Sequence, residues 1–276
     1  MPTTPLERLR ARLAAERRLI VAYSGGVDSA LLAFVAAREL GDGALAVTAV
    51  SPSLAARERG DARTFTTEHA IAHVEVRTDE ANRPEYRANA GDRCYHCKSA
   101  LFDALAPIAR LSGASVALGT NLDDLGDHRP GQRAAGERGV LSPLVDAGFD
   151  KATVRNVSHE LGLRTATKPA APCLASRVAY GETVTPDVLA RIEAAEEAVR
   201  ALGFSDLRVR AHSQGTVARI EVPAHQVERA ATLRGELDAR VRASGFTFCS
   251  LDLGGLSSGR MNAVLPLVEV TTGGTQ

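Results

Sequence analysis

The sequence predicts an α/β fold: a doubly wound, Rossmann-like parallel sheet over residues 1–170, followed by a smaller α+β part over residues 171–276. Three observations predict it. Short apolar runs alternate with stretches whose apolar residues recur at helical spacing, which implies right-handed crossovers and helices on both faces of a parallel sheet. A glycine-rich turn directly follows the first of these runs. The alternation stops at residues 167–173 (TKPAAPC), where proline and small residues interrupt it and place a domain boundary.

Taken in order, residues 18–23 (RLIVAY) form a strand, the glycines turn the chain, and residues 30–40 form a helix. Strand 44–50, a helix to about residue 70, strand 73–77, helix 98–111 and strand 115–119 repeat the alternation, and helix 151–163 closes it. Beyond the break, 186–202 reads as a helix ended by Gly203, 207–211 and 217–222 as a hairpin, 224–243 as one helix and 246–253 as a strand. Ligands of such sheets sit beyond the carboxyl ends of the strands, where residues 24–26 and 119–121 both fall.

With 276 residues and 45% hydrophobic content, the chain can bury a sizeable core. Lysine plus arginine and aspartate plus glutamate cancel at 33 each, so no global field gathers nucleic acid or an anionic membrane. No apolar run approaches the roughly 18 residues of a membrane span, and the expected location is cytoplasmic. Two of the four cysteines form Cys94-x-x-Cys97, which fits metal or redox chemistry better than a secreted disulfide framework.

A triphosphate needs backbone N–H groups that come close and a helix N-terminus pointing at it. In Ser24-Gly25-Gly26-Val27-Asp28-Ser29 the glycines permit that approach, the two serines add donors, and Asp28 can cap the helix or hold Mg²⁺. The Walker lysine and the dinucleotide GxGxxG are both absent. An isolated glycine pair would read as a plain turn capped by Asp28; the whole hexapeptide behind the first strand points to ATP. The loop after the 115–119 strand runs through Gly119, Thr120, Asn121, Asp123, Asp124, Asp127 and Arg129. Alone it would be a solvated polar loop. Beside a phosphate site its oxygens suit Mg²⁺, and Arg129 can neutralise departing pyrophosphate. Further on, Arg208 and Arg210 alternate with Leu207, Val209 and Ala211, so both cations share one face of a strand, either as an exposed polar face or as a grip for phosphate.

The hexapeptide resembles the PP-loop of the adenine nucleotide α-hydrolases, which cleave ATP between its α and β phosphates. Together with the 119–131 loop and residues 172–181 (PCLASRVAYG), it makes the chain similar to the LarE family of ATP-dependent sulfur transferases, which help build the nickel-pincer nucleotide cofactor of lactate racemase. The likeness runs from the phosphate loop to at least Val222. It implies a PP-loop fold, a small nucleotide substrate, adenylylation of a carboxylate of pyridinium biscarboxylic acid mononucleotide, and replacement of AMP by sulfur. It also implies a hexamer, with no nucleic-acid partner and no membrane.

By the same resemblance Cys173 lies where the activated substrate is attacked, Ser176 and Arg177 contact nucleotide or intermediate, and Arg208, Arg210 and Glu197 bind substrate. Cys94 and Cys97 are additions relative to single-cysteine members. With Cys173 they could bind three irons of a 4Fe-4S cluster and leave the fourth open, as in the cluster-containing branch. Zinc completed by His96 or a remoter residue, or a redox pair, remain alternatives. Cys249 reads as a core thiol, and His69, His159 and His225 carry no functional expectation. Rival functions are a tRNA thiolase, disfavoured by zero net charge and 4% aromatic content, an ammonia-using amidating synthetase, and a non-catalytic nucleotide- or metal-binding module.

Overall fold

The computed structural model describes residues 4–126 and 130–257. Four parallel strands, β1 (Leu19–Ala22), β2 (Ala44–Val50), β3 (His73–Arg77) and β4 (Ser115–Leu118), form a sheet in the order β3-β2-β1-β4. Leu19 lies opposite Ala44 on one side and Ser115 on the other. On one face Leu19, Val21 and Tyr23 pack into a core with α1 (Pro5–Ala14) and α2 (Val27–Leu40). On the other, Ile20, Ala22 and Leu118 meet α5 (Arg93–Ser112) and α6 (Pro130–Gly136). Burial on both faces is why β1 reads as an unbroken apolar run instead of alternating. Between these lie α3 (Ala56–Glu68) and α4 (Pro84–Arg87), while α7 (Pro143–Asp146) and α8 (Lys151–Glu160) complete the first half. The expected α/β class and parallel sheet are present.

The second sheet is mixed, in the order β5-β6-β7: β5 (Arg208–His212) and β6 (Val217–Glu221) are antiparallel, and β7 (Phe248–Leu251) joins β6 in parallel. Helix α9 (Pro186–Arg200), capped by the Thr185 side chain on the Val188 amide, packs its apolar face on β5. The single helix expected over 224–243 is instead a 3-10 turn, then α10 (Val227–Thr232) and α11 (Arg234–Ala243), broken at Leu233. Thr232 and Gly235, both weak helix formers, flank the break. This second core also takes in Tyr86, from α4.

One early element differs in a way that matters. The helix expected to begin at Lys98 begins at Arg93, so Cys94 and Cys97 ride on the first turn of α5, spaced to share a face. Asp92 stands at its N-cap position.

Candidate active site

Gly25 holds φ +76°, a left-handed conformation that side chains rarely adopt, and a Cβ there would press to 3.2 Å from Ala62 Cβ. The chain then enters α2 from Gly26 in extended conformation, and no side chain caps the helix. Asp28 is therefore not the cap that one reading of the loop expected. Its Oδ1 accepts from Asn121 Nδ2 at 3.0 Å and its Oδ2 from Lys151 Nζ at 2.5 Å. Ser24 and Ser29 face each other, Oγ to Oγ at 3.1 Å. The first amides of α2 thus carry no side-chain cap, as an anion site requires.

The loop after β4 comes against this turn. A Cβ on Gly119 would lie 2.7 Å from Ser29 N, so only glycine lets β4 pass the start of α2. Thr120 leads on to Asn121, which is buried and whose amide donates to Asp124 Oδ2 at 3.1 Å. Asp123 accepts the Lys151 amide at 2.8 Å. The structure therefore gathers Asp28, Asn121 and Lys151 directly, with Asp123 and Asp124 adjoining. Asp127 and Arg129 lie outside the described residues. Lys151 was not singled out from sequence, because a lysine opening a helix carries no local signal.

A cavity of about 550 Å³ begins at Ser24 and Gly25 and extends past Lys168 to Cys173, Arg177, Glu196, Arg200 and Arg208. Cys173 is exposed and precedes the 3-10 turn Leu174–Arg177. Ser176 Oγ donates to the Cys173 carbonyl at 2.8 Å, and Arg177 reaches the Pro172 and Cys173 carbonyls. The Leu174 amide donates to Ser53 O at 2.9 Å, and Ser53 in turn hydrogen-bonds the buried Tyr86 hydroxyl. In this structure Ser176 and Arg177 shape the turn that presents Cys173.

Arg177 is held by Glu196, which is 2% exposed, through Nε to Oε1 at 3.0 Å; the Val209 amide and Arg200 also reach Glu196. Burial pushes the Glu196 carboxyl up, but the charge and hydrogen bond of Arg177, the Val209 amide and Arg200 outweigh it and hold the group below the usual carboxylate range. Glu197, the neighbour expected to meet substrate, is instead exposed and paired with Arg200 at 2.6 Å, outside the cavity lining; α9 turns Glu196 inward in its place.

The two strand arginines also separate. Arg208 lines the cavity, donating to Ala170 O at 2.9 Å. Arg210 does not face outward: it is 8% exposed and bonded through Nε to the fully buried Glu221 at 2.9 Å. A pair buried between β5 and β6 replaces the exposed polar face that alternation suggested. Arg200, an exposed-looking position in sequence, is the second cation of this end of the cavity.

Cys94 is exposed and Cys97 half-buried. Burial pushes the Cys97 thiol up to about 12, and the negative charges of Cys173, Glu80 and Cys94 add to it, against Lys98. Beside them burial lowers the Arg93 guanidinium, but the charges of Cys173, Cys94, Tyr86 and Tyr180 together raise it above its ordinary value. Its NH1 donates to Ala175 O at 2.8 Å and to Asn89 Oδ1, tying α5 to the Cys173 turn. The three thiols therefore share one electrostatic neighbourhood. Among the described residues, however, no three His, Cys, Asp or Glu side chains converge to hold a single metal ion. His96 Nε2 meets Asp92 at 3.2 Å. A cluster distributes its ligands over separate irons and asks for wider spacing than one zinc does. Among the described residues, the buried side-chain atoms of this region without a hydrogen-bond partner include Glu80 Oε2, Ser99 Oγ on α5 and Thr165 Oγ1 in the cavity lining; of these only Glu80 is ionisable. Cys249 sits apart, on β7 against the second core, its thiol raised by burial to about 11. Among the described residues no helix is long and apolar enough to cross a membrane.

No protein-family model matches the chain. It is 45% identical over 268 residues to an uncharacterized protein of Synechocystis sp., covering 96% of this chain and 99% of that protein. It is 28% identical over 206 residues to an uncharacterized protein of Methanocaldococcus jannaschii, covering 74% and 78%. To the pyridinium-3,5-bisthiocarboxylic acid mononucleotide synthase of Lactiplantibacillus plantarum it is 35% identical over 266 residues, 96% of either chain. With the parallel sheet and near full-length identity together, the chain belongs to the pyridinium-3,5-bisthiocarboxylic acid mononucleotide synthase (LarE) family.

Proposed function

We propose that the protein is an ATP-dependent sulfur transferase that converts a carboxylate of pyridinium-3,5-biscarboxylic acid mononucleotide into a thiocarboxylate, in nickel-pincer nucleotide synthesis. The observation that carries this reading is the continuity of one cavity from Ser24 and Gly25 to Cys173. A carboxylate lying between them can be activated at one end and attacked at the other.

In the first step the uncapped amides of α2, with Ser24, Gly25, Gly26, Val27 and Ser29, hold the phosphates of ATP. Asp28 and Asp124 are the oxygen ligands offered to Mg²⁺, and Lys151 supplies positive charge beside them. The substrate carboxylate attacks the α-phosphorus, and pyrophosphate leaves with the electron pair of the broken bond. In the second step sulfur presented at Cys173 attacks the acyl carbon and AMP departs. Arg208 and Arg200, converging at the far end of the cavity, bind the phosphate of the substrate. Glu196 orients Arg177 and through it the cysteine turn.

Cys94, Cys97 and Cys173 would hold a 4Fe-4S cluster, which supplies an open iron able to carry a transferable sulfide. What supports it is the shared neighbourhood of the thiols and the soft, three-thiolate donor set. A cytoplasmic, six-copy assembly belongs to the same reading.

Anaerobically reconstituted protein given ATP and the nucleotide should form AMP and a product heavier by the difference between sulfur and oxygen. Cys173→Ala should still release pyrophosphate yet yield no heavier product. Neither AMP nor a mass change from the wild type would overturn the assignment.

A further inference from the structure

Glu80 opens the 3-10 turn Glu80–Asn82 between β3 and α4, and its side chain is only 2% exposed. Its Oε2 has no hydrogen-bond partner, and among the described residues no arginine or lysine pairs with the carboxyl. Burying a carboxyl without a partner is costly, and such groups persist where something absent from the bare chain completes them. The turn packs against α4 and α5, the helices that carry Tyr86 and the two cysteines Cys94 and Cys97, and the Glu80 charge bears on Cys97 and on Tyr86.

The nearby buried cation does not answer it. Arg93 gives its hydrogen bonds to the neutral oxygens of Asn89 and Ala175. A carboxyl and a guanidinium thus border the cysteines without meeting each other.

We propose that Glu80 is a fourth, non-thiol donor to the metal group held by Cys94, Cys97 and Cys173, a carboxylate that a transferable sulfide displaces. This rests on the cluster reading above. The step is a ligand exchange: one iron–oxygen bond breaks as one iron–sulfur bond forms, and no electron is transferred. A carboxylate suits that role because, beside thiolates, it is a hard and weaker ligand for iron. Three thiolates alone hold the cluster, while the carboxylate covers the remaining iron until sulfide arrives.

The test compares wild type, Glu80→Gln and Glu80→Ala after anaerobic reconstitution, reading iron per chain, loss of iron to a chelator, and the optical response to added hydrosulfide. Both variants should assemble a cluster yet lose one iron in four at least about tenfold faster than wild type. Their hydrosulfide titrations should saturate at lower concentration. In the wild type grown on ¹³C-glutamate, the reduced cluster should show coupling to a carboxylate carbon that disappears when hydrosulfide is added, a readout independent of whether either variant folds. A stable cluster with no such coupling, or variants that match wild type in iron retention and titration, would overturn the inference alone. A wild-type chain that forms AMP but takes up no iron would overturn the cluster and the inference together, leaving the ATP chemistry standing.

Discussion

The four-stranded sheet and the three-stranded sheet are both covered, but they bury different things. Around β1 the interior is aliphatic on both faces, with Leu19 and Val21 on one side and Ile20 and Ala22 on the other. Around β5 the apolar face of Val209 and Ala211 is matched on the opposite side by ion pairs, Arg210 with Glu221, and Arg219 with Glu221 and Asp252. Between α9 and β5 sits a second charged node, Glu196 with Arg177, Arg200 and the Val209 amide. Aliphatic burial tolerates sliding and repacking, whereas a buried carboxylate with several fixed donors permits one arrangement. The half that carries Cys173 is fixed in the second way.

The largest effects should separate these two kinds of interior. Glu196→Ala leaves Arg177 buried without its carboxylate and should cost about 3–5 kcal/mol, and Arg210→Ala, which takes one of two arginines from the fully buried Glu221, should cost somewhat less. Leu31→Ala, in the first core, should cost about 2–5 kcal/mol. Urea unfolding measures all three, and pH distinguishes them. Because the folded-state Glu196 carboxyl titrates below its ordinary value of 4.5, its contribution is present above that pH and is lost as the pH falls through the lowered value. The penalty of Glu196→Gln should therefore shrink in acid, and that of Leu31→Ala should not. A Glu196→Gln penalty that is constant from neutral pH to pH values below 4.5 would break the comparison.

A smaller structural cost with a large functional one is expected at the seam between β4 and α2. Gly119→Ala forces a Cβ against Ser29 N at 2.7 Å and should destabilise by about 1–3 kcal/mol. It should also abolish pyrophosphate release, since it displaces the first turn of α2. Arg208→Ala, by contrast, should leave the unfolding midpoint near wild type and raise KM for the nucleotide about tenfold. Arg210→Ala should do the reverse, which sharpens the distinction between two arginines one residue apart. The smallest effect belongs to the surface. Arg63, more than half exposed in its pair with Glu75, should cost less than about 1 kcal/mol when replaced by alanine.

How much of this could be read from the chain follows from the same contrast. Strands β1, β2 and β4 and the turn into α2 announce themselves locally, through apolar runs and a glycine-bearing hexapeptide that sterics forces into one shape, whereas β3 (HVEVR) alternates polar and apolar residues. The start of α5 carried one weak signal, Asp92 at the N-cap position, and without it Cys94 and Cys97 could not be placed on a common helical turn. In the second sheet, alternation gave the facing of Arg208 and Arg210 correctly relative to Val209 but could not say what covers them. That depends on Glu221 across the hairpin for Arg210 and on the Ala170 carbonyl, far back in the chain, for Arg208. Lys151, Arg200 and Glu80 were illegible for the same reason: each acquires its meaning from a partner, or the lack of one, far off in sequence.

The bare first turn of α2 has a thermodynamic corollary. Where α1, α8 and α9 close their amino ends with a Thr or Asp side chain, α2 leaves its leading amides open, and under the proposed function nucleotide phosphate would act as the missing stopper. Folding and occupancy are then linked, and the melting temperature should climb with the logarithm of nucleotide concentration well past half-saturation.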